Sequence, residues 1–237
     1  MTASPLIWLN TQQDLDAALD ALCARDARLA AVRTSAGTVS LRRRAPGFPG
    51  LMATIVGQQL SIASAAAIWG RLETAFVPFT PETLRTARAD RLKRLGLSAA
   101  KIKTFRAISR AIVAGDLDLE ALAVGDADTA HGTLTAVHGI GPWTADIYLL
   151  FCLGHADAWP AGDLALQVAC GNALALPMRP TANELTALAD IWRPWRGVAA
   201  HLFWAYYKAI KAPGFTPAPP AAPVRTAPRP RNQPGKR

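Results

Sequence analysis

The stretch "HGIGPWTADIYLLFCLGHADAWPAGD", residues 138–163, opens on two glycines around one isoleucine, runs through an apolar segment and stops at an aspartate. Gly139 and Gly141 permit positive φ and close backbone approach. Pro142 suits a first helical turn, where its missing amide proton would have had no partner. The expectation is a tight turn joining the helix "DADTAHGTLTAV" (126–137) to the helix "GPWTADIYLLFCLG" (141–154). Amides at the start of the second helix lack intrahelical acceptors and form a site for an anion such as a phosphate. The outward carbonyls of the turn, near Gly139 and Gly141, offer a seat for a monovalent cation, Na+ or K+. On the residues alone Asp163 has two readings, a carboxylate that does chemistry or the N-cap of the helix that "GDLALQ" (162–167) begins.

Outward from this stretch the pattern is helical almost throughout, with Ala, Leu and Ile recurring at three and four residues and Gly or Pro at the breaks. Single helices are expected over 11–33, 48–76, 80–87, 89–96 and 98–115, and again over 162–174, 181–192 and 193–211. Thr80 before Pro81, and Ser98, place capping oxygens at helix starts. Only "AGTVSLRRR" (36–44) resembles a strand, too little for a sheet. The expected fold class is therefore all-α.

The chain of 237 residues carries Lys+Arg 26 against Asp+Glu 17, a formal charge of +9, and is 51% hydrophobic, the balance of a basic globular protein. Such an excess suits a polyanion, nucleic acid or an acidic membrane surface. Five of those positive charges, Arg225, Arg229, Arg231, Lys236 and Arg237, fall in "APGFTPAPPAAPVRTAPRPRNQPGKR" (212–237), which has no acid. That proline-rich segment is expected to be a disordered basic tail, either a solvated end or an electrostatic tether to phosphates. Arg42 to Arg44 in "LRRRAPGFPG" (41–50) read as a solvated charge run. Three scattered cysteines, Cys23, Cys152 and Cys170, give no disulfide framework and no metal-ligand spacing, so no side-chain metal site is expected. The N-terminus turns acidic before a signal-peptide core forms, and no run reaches the roughly 18 apolar residues of a membrane span. The expectation is a cytoplasmic protein with no membrane association.

"LTAVHGIGPWTAD" (134–146) followed by "WPAGDLALQ" (159–167) resembles the helix-hairpin-helix, glycine/proline-rich, aspartate (HhH-GPD) superfamily of DNA glycosylases, within it the bacterial 3-methyladenine DNA glycosylase II type. "IVGQQLSIASAA" (55–66) resembles the helix that reaches the DNA minor groove, and "WRPWRGVAAHLFWAYYK" (192–208) the family's C-terminal helix. The resemblance implies a bilobed core over 49–211, with 1–48 a helix and basic loop packed on it in place of the β-rich N-terminal domain of better-known members. Iron–sulfur relatives use four closely spaced cysteines; three scattered ones exclude that cluster.

By the resemblance Asp163 is the catalytic aspartate. It would stabilise the positive charge that builds on deoxyribose as the N-glycosidic bond breaks, and orient the attacking water. Trp143 stands where bifunctional relatives carry the lysine that forms a Schiff base, which implies a monofunctional hydrolase leaving an abasic site. Trp143 and Trp204 match positions lining the base pocket; each is otherwise a core tryptophan. Gly139, Ile140 and Gly141 would meet DNA at the hairpin. Gln58, Gln59 and Leu60 would meet it at the wedge, with Gln59 at the matching position and Leu60 the other candidate; the glutamines are otherwise surface residues. Lys101, Lys103, Arg193 and Arg196 are phosphate or surface candidates, and Asp146 and Asp157 rival carboxylates. Where the family has a tyrosine four residues after the tryptophan, this chain has Ile147, with Tyr148 next to it. The implied partner is double-stranded DNA with damaged bases, 3-methyladenine foremost, bound in the nucleoid by a monomer that needs no catalytic cofactor. The alternatives are a helix-hairpin-helix DNA-binding module without catalysis, in which Asp163 is only a cap, and a glycosylase for another damaged base.

Overall fold

The computed structural model describes residues 7–213 and Phe215, so the basic tail expected over 212–237 lies almost wholly outside the described residues. Helix α1 (Gln12–Arg25) begins at a capping box between Thr11 and Asp14, and its buried Leu15, Ala18, Leu19 and Leu22 share one face. It does not run on to residue 33. The Asp26 carboxylate accepts from the Arg28 amide and from the Trp192 indole at 2.9 Å, which ends α1 and caps α2 (Ala27–Ala36). The strand-like stretch that follows is coil. Among the described residues there is no strand, only an isolated bridge between Trp8 and His155.

The helix expected over 48–76 is two, α3 (Gly47–Gly57) and α4 (Ile62–Ala75). Gln59 takes a φ of +56°, which no helix tolerates, and Ser61 restarts the chain by accepting from the Ser64 amide at 3.1 Å. Helices α5 (Pro81–Thr86) and α6 (Ala89–Arg94) pack on α7 (Ala99–Ala114). A short α8 (Ala121–Val124) leads to α9 (Ala127–Thr135) and α10 (Pro142–Ile147), the two arms of the hairpin. Beyond Ile147 the chain widens into a π-helical segment, Tyr148–Leu153, whose six side chains are all buried. An element apolar on every side belongs at the centre of the molecule, and α3, α8, α9 and α10 all pack against it.

The second lobe is built on the C-terminal helix. After α11 (Leu164–Ala173), α12 (Ala182–Ala189) and a 3-10 turn, α13 (Arg196–Ile210) carries α1, α2 and α11 on its surface. Two devices fix the 154–158 turn on the way to Asp163. Leu9 donates to the Gly154 carbonyl at 2.7 Å and Ala156 to that of Ile7 at 3.0 Å. Arg196, 5% exposed, bonds Asp157 through Nε at 2.9 Å and Asp128 through a terminal nitrogen at 2.8 Å. Arg193 reaches the same two carboxylates at 2.8 Å. Breaking the buried Arg196–Asp157 pair costs about 3–5 kcal/mol, the more exposed bonds of Arg193 and Asp128 far less, and together these contacts tie α9 and the turn to α13.

Candidate active site

Asp163 is reached through a compact turn: Ala161 donates to the Trp159 carbonyl at 2.8 Å and Asp163 to that of Pro160 at 2.8 Å. Proline and glycine within "WPAG" allow this reversal, and it delivers Asp163 to the first position before α11. There its Oδ1 accepts from the Leu166 amide at 3.1 Å, the cap expected from sequence. The cap uses only part of the carboxylate. Trp204 Nε1 also donates to Oδ1, at 3.1 Å, and Trp143 Nε1 to Oδ2, at 3.0 Å. Two indoles from α10 and α13 thus hold one half-buried carboxylate, with the positive end of α11 behind it.

Asp163 faces a cleft of about 450 Å³ lined by Gln58, Gln59, Gly141, Trp143, Thr144, Gly162 and Leu164. No lysine stands among those residues. The floor is α10 and the rim is the turn between α3 and α4. Gln58 Nε2 donates to Thr144 Oγ1 at 2.8 Å, which locks that rim to the hairpin helix. Lys101 on α7 donates to the carbonyls of Val56 at 2.8 Å and Gln58 at 2.9 Å, satisfying the end of α3. Its ammonium is a structural cap rather than a free phosphate contact, and burial lowers its pKa. Held on both sides, the turn projects Gln59 in the left-handed region and Leu60, 40% exposed, toward solvent. A non-glycine residue in that region costs about 1–2 kcal/mol, strain of the kind found at functional sites.

The hairpin turn presents its glycines and hides its isoleucine. Ile140, expected to meet DNA, is 4% exposed and its amide donates to the Val137 carbonyl at 3.1 Å, so this residue anchors the turn in the core. Gly139 has a φ of +90°, and a Cβ there would lie 2.0 Å from Thr104 Oγ1. Only glycine fits both constraints. Gly141 stands open as the cap of α10, ahead of Pro142. A second groove, between this turn, the α3–α4 turn and the start of α7, is lined by Gln58, Gln59, Lys103, His138 and Gly139.

The rival carboxylates are committed elsewhere. Asp157 belongs to the arginine network, and Asp146 is paired with His131 Nδ1 at 2.8 Å, joining the two hairpin arms. Burial raises the Asp146 pKa, while the bond to Asp146 raises that of His131. Ile147 and Tyr148 both point into the core, Tyr148 toward the Gly47 carbonyl at 3.4 Å, so neither enters the cleft. Arg42 and Arg44 are not merely a solvated run: their guanidinium groups lie 5.8 Å from the Trp204 ring and 5.3 Å from the Phe151 ring. Sequence reasoning missed Thr144, the capping role of Lys101 and the placement of Arg42. Thr144 follows Trp143 directly and was open to detection; the other two depend on contacts between distant segments.

Among the described residues no three His, Cys, Asp or Glu side chains cluster as a metal site requires, and no helix is long and apolar enough to cross a membrane. Residues 52–194 match the model of the HhH-GPD superfamily of base excision DNA repair proteins, and the chain belongs to that family. It is 29% identical over 183 residues to DNA-3-methyladenine glycosylase 1 of Schizosaccharomyces pombe, covering 75% of this chain and 78% of that protein. With another curated relative the shared region spans only 40% of the relative. Among solved structures, a DNA-3-methyladenine glycosidase from Bacillus halodurans superposes with a TM-score of 0.72 at 30% identity, over 86% of this chain and 92% of that one. The S. pombe 3-methyladenine DNA glycosylase Mag1 in complex with abasic DNA gives 0.71 at 26% identity, over 84% and 99%.

Proposed function

We propose that the protein is a monofunctional DNA glycosylase that extrudes alkylated purines of the 3-methyladenine type from duplex DNA and hydrolyses their N-glycosidic bonds. The observation that carries this reading is Asp163 itself, an N-cap whose carboxylate is held by two indole N–H groups at the wall of a cleft without an amine. Bond breaking leaves positive charge on the sugar, and a preorganised carboxylate stabilises it without reorganising at the moment of reaction. The same carboxylate orients or deprotonates the water that completes hydrolysis. An alkylated purine already carries positive charge and departs readily, so one carboxylate is sufficient. Trp143 offers no amine for a Schiff base and Lys101 is engaged with Val56 and Gln58, so the product is an abasic site with an intact backbone.

In this reading Gln59 and Leu60 fill the gap left by the extruded base, and the Gly139 to Gly141 turn grips a phosphate, with a monovalent cation on its carbonyls. The protein acts as a monomer. The test is incubation of the purified protein with duplex DNA bearing labelled methylated purines, chromatography of the released bases, and borohydride trapping in parallel. Release of 3-methyladenine with no trapped adduct is expected. A trapped adduct would overturn the hydrolytic mechanism, and DNA binding without base release would favour a non-catalytic helix-hairpin-helix module.

A further inference from the structure

The turn between α3 and α4 stands between two depressions of opposite character, and Gln58 and Gln59 line both. The cleft before Asp163 holds one carboxylate and no cation. The groove on the other side, about 470 Å³, is lined by Lys101, Lys103 and His138 and by no acid. The hairpin is shared in the same way, with Gly141 on the cleft and Gly139 on the groove. The missing side chain at residue 139 is what lets α7 approach: Thr104 fills that space and is tied back to the Ala100 carbonyl at 3.2 Å. Lys103 on α7 and His138 at the hairpin thereby reach one groove. Lys101 is bonded to neutral carbonyls, which leave its charge in place. Lys103 and His138 are exposed, and among the described residues neither has an ion-pair or hydrogen-bond partner. One exposed lysine is ordinarily a solvated one, but here three basic side chains converge on a concave surface without a counter-charge.

We infer that this groove is a second phosphate site: Lys103 and His138 together hold one phosphate of the DNA backbone, across Gln58 and Gln59 from Asp163 and apart from the phosphate gripped by the hairpin turn. The inference rests on the reading above, in which the partner is duplex DNA with an extruded nucleotide. A purine methylated at N3 is cationic and the phosphates that flank it are anionic. The two depressions divide along that line, the carboxylate on one side of the glutamines and the cations on the other. The separation matters to the chemistry, because a lysine inside the cleft would compensate the Asp163 charge that has to stabilise the sugar. Lysine supplies a compact positive charge, and an imidazole supplies an N–H in either tautomer. A phosphate bound there releases its condensed counterions, which makes the contact dependent on salt.

The test measures equilibrium binding of the full chain to a duplex with a stable abasic-site analogue, in which single phosphates are replaced in turn by uncharged methylphosphonates. Lys103→Gln is expected to weaken binding to the unmodified duplex about fivefold to tenfold at about 0.1 M salt. It should also lower the slope of log K against log salt by about one, the share of one phosphate contact. Lys103→Arg keeps the charge and should bind as the wild type does. One methylphosphonate position should weaken the wild type yet add little to the loss in Lys103→Gln, and His138→Asn should show a reduced loss at that same position. Losses that add at every position, or couplings of Lys103 and His138 at two different positions, would overturn the inference. The measurement reads binding and not chemistry, so failure of base release in the excision assay above would count against the glycosylase reading alone, whereas a wild type that does not bind this duplex would remove both.

Discussion

Replacing Asp163 by asparagine preserves its size and removes its charge, and the structure sets what each change costs. The carboxylate accepts from the Leu166 amide and the Trp204 indole on one oxygen and from the Trp143 indole on the other. Asparagine has a single acceptor oxygen. Turned to keep the first pair, it sets its NH2 group against the Trp143 N–H, donor against donor. One bond to an ionised acceptor is lost, about 1.5–3 kcal/mol, and the other two weaken. Trp143 and Asp163 are both half-buried, so water can take up part of the orphaned donor. The net destabilisation is about 1–2 kcal/mol, a fall in Tm of roughly 2–8 °C for a chain of this size. Losing a charge aimed at the transition state costs more, about 3 kcal/mol or above, which is at least a hundredfold in rate. The assay pairs single-turnover release of 3-methyladenine with thermal melting and binding to duplex DNA. Affinity for DNA should hold or rise, because a negative charge has left the binding cleft. Excision within a few-fold of wild type would refute the catalytic assignment, and a collapse of melting together with activity would mark Asp163 as a structural cap.

Gly139→Ala should destabilise the fold by about 2–5 kcal/mol, the left-handed backbone and the clash with Thr104 adding together, as read by urea denaturation. Combining it with Thr104→Ala should recover only part of the loss, because the Cβ that remains still lies 2.8 Å from the added methyl and the left-handed backbone is unchanged, so full recovery in the double variant would contradict the backbone argument. Lys101→Met should cost about 1–2 kcal/mol in stability, and loosening of the α3–α4 turn should slow excision more than it weakens binding to duplex DNA. The His131 pKa is raised by its bond to Asp146, so the stabilisation is full below the ordinary histidine value of 6.5 and fades as pH rises through the elevated folded value. Denaturation midpoints taken from pH 6 upward should therefore fall in the wild type, and a His131→Leu variant that shows the same slope would remove His131 as the cause.

Helix identity was legible because it is local. The three-and-four spacing of Leu15, Ala18, Leu19 and Leu22, and the capping oxygens at Thr80 and Ser98, act within a turn or two of the chain. The glycine turn was legible for the same reason, since Gly139 and Pro142 set the backbone whatever surrounds them. Helix breaks were less so. Asp26 ends α1 by bonding Trp192, and the α3–α4 break is held by Lys101 and Thr144, partners far along the chain.

Local residue order thus reads as a helical, basic chain with a glycine hairpin and an aspartate at the head of a helix. Whether that aspartate was a cap or a catalyst was not a local question, because the Leu166 amide that caps it would look the same in either case. Tertiary structure brought the indoles of Trp143 and the buried Trp204 onto the remaining acceptor sites and opened a cleft lined by Trp143 and Asp163. It also engaged three of the charged candidates, Arg193 and Arg196 with Asp128 and Asp157 and Lys101 with carbonyls, and set the exposed Arg42 beside the Trp204 ring. A charge seeks the nearest compensating group in space, and spacing along the chain does not say which group that will be.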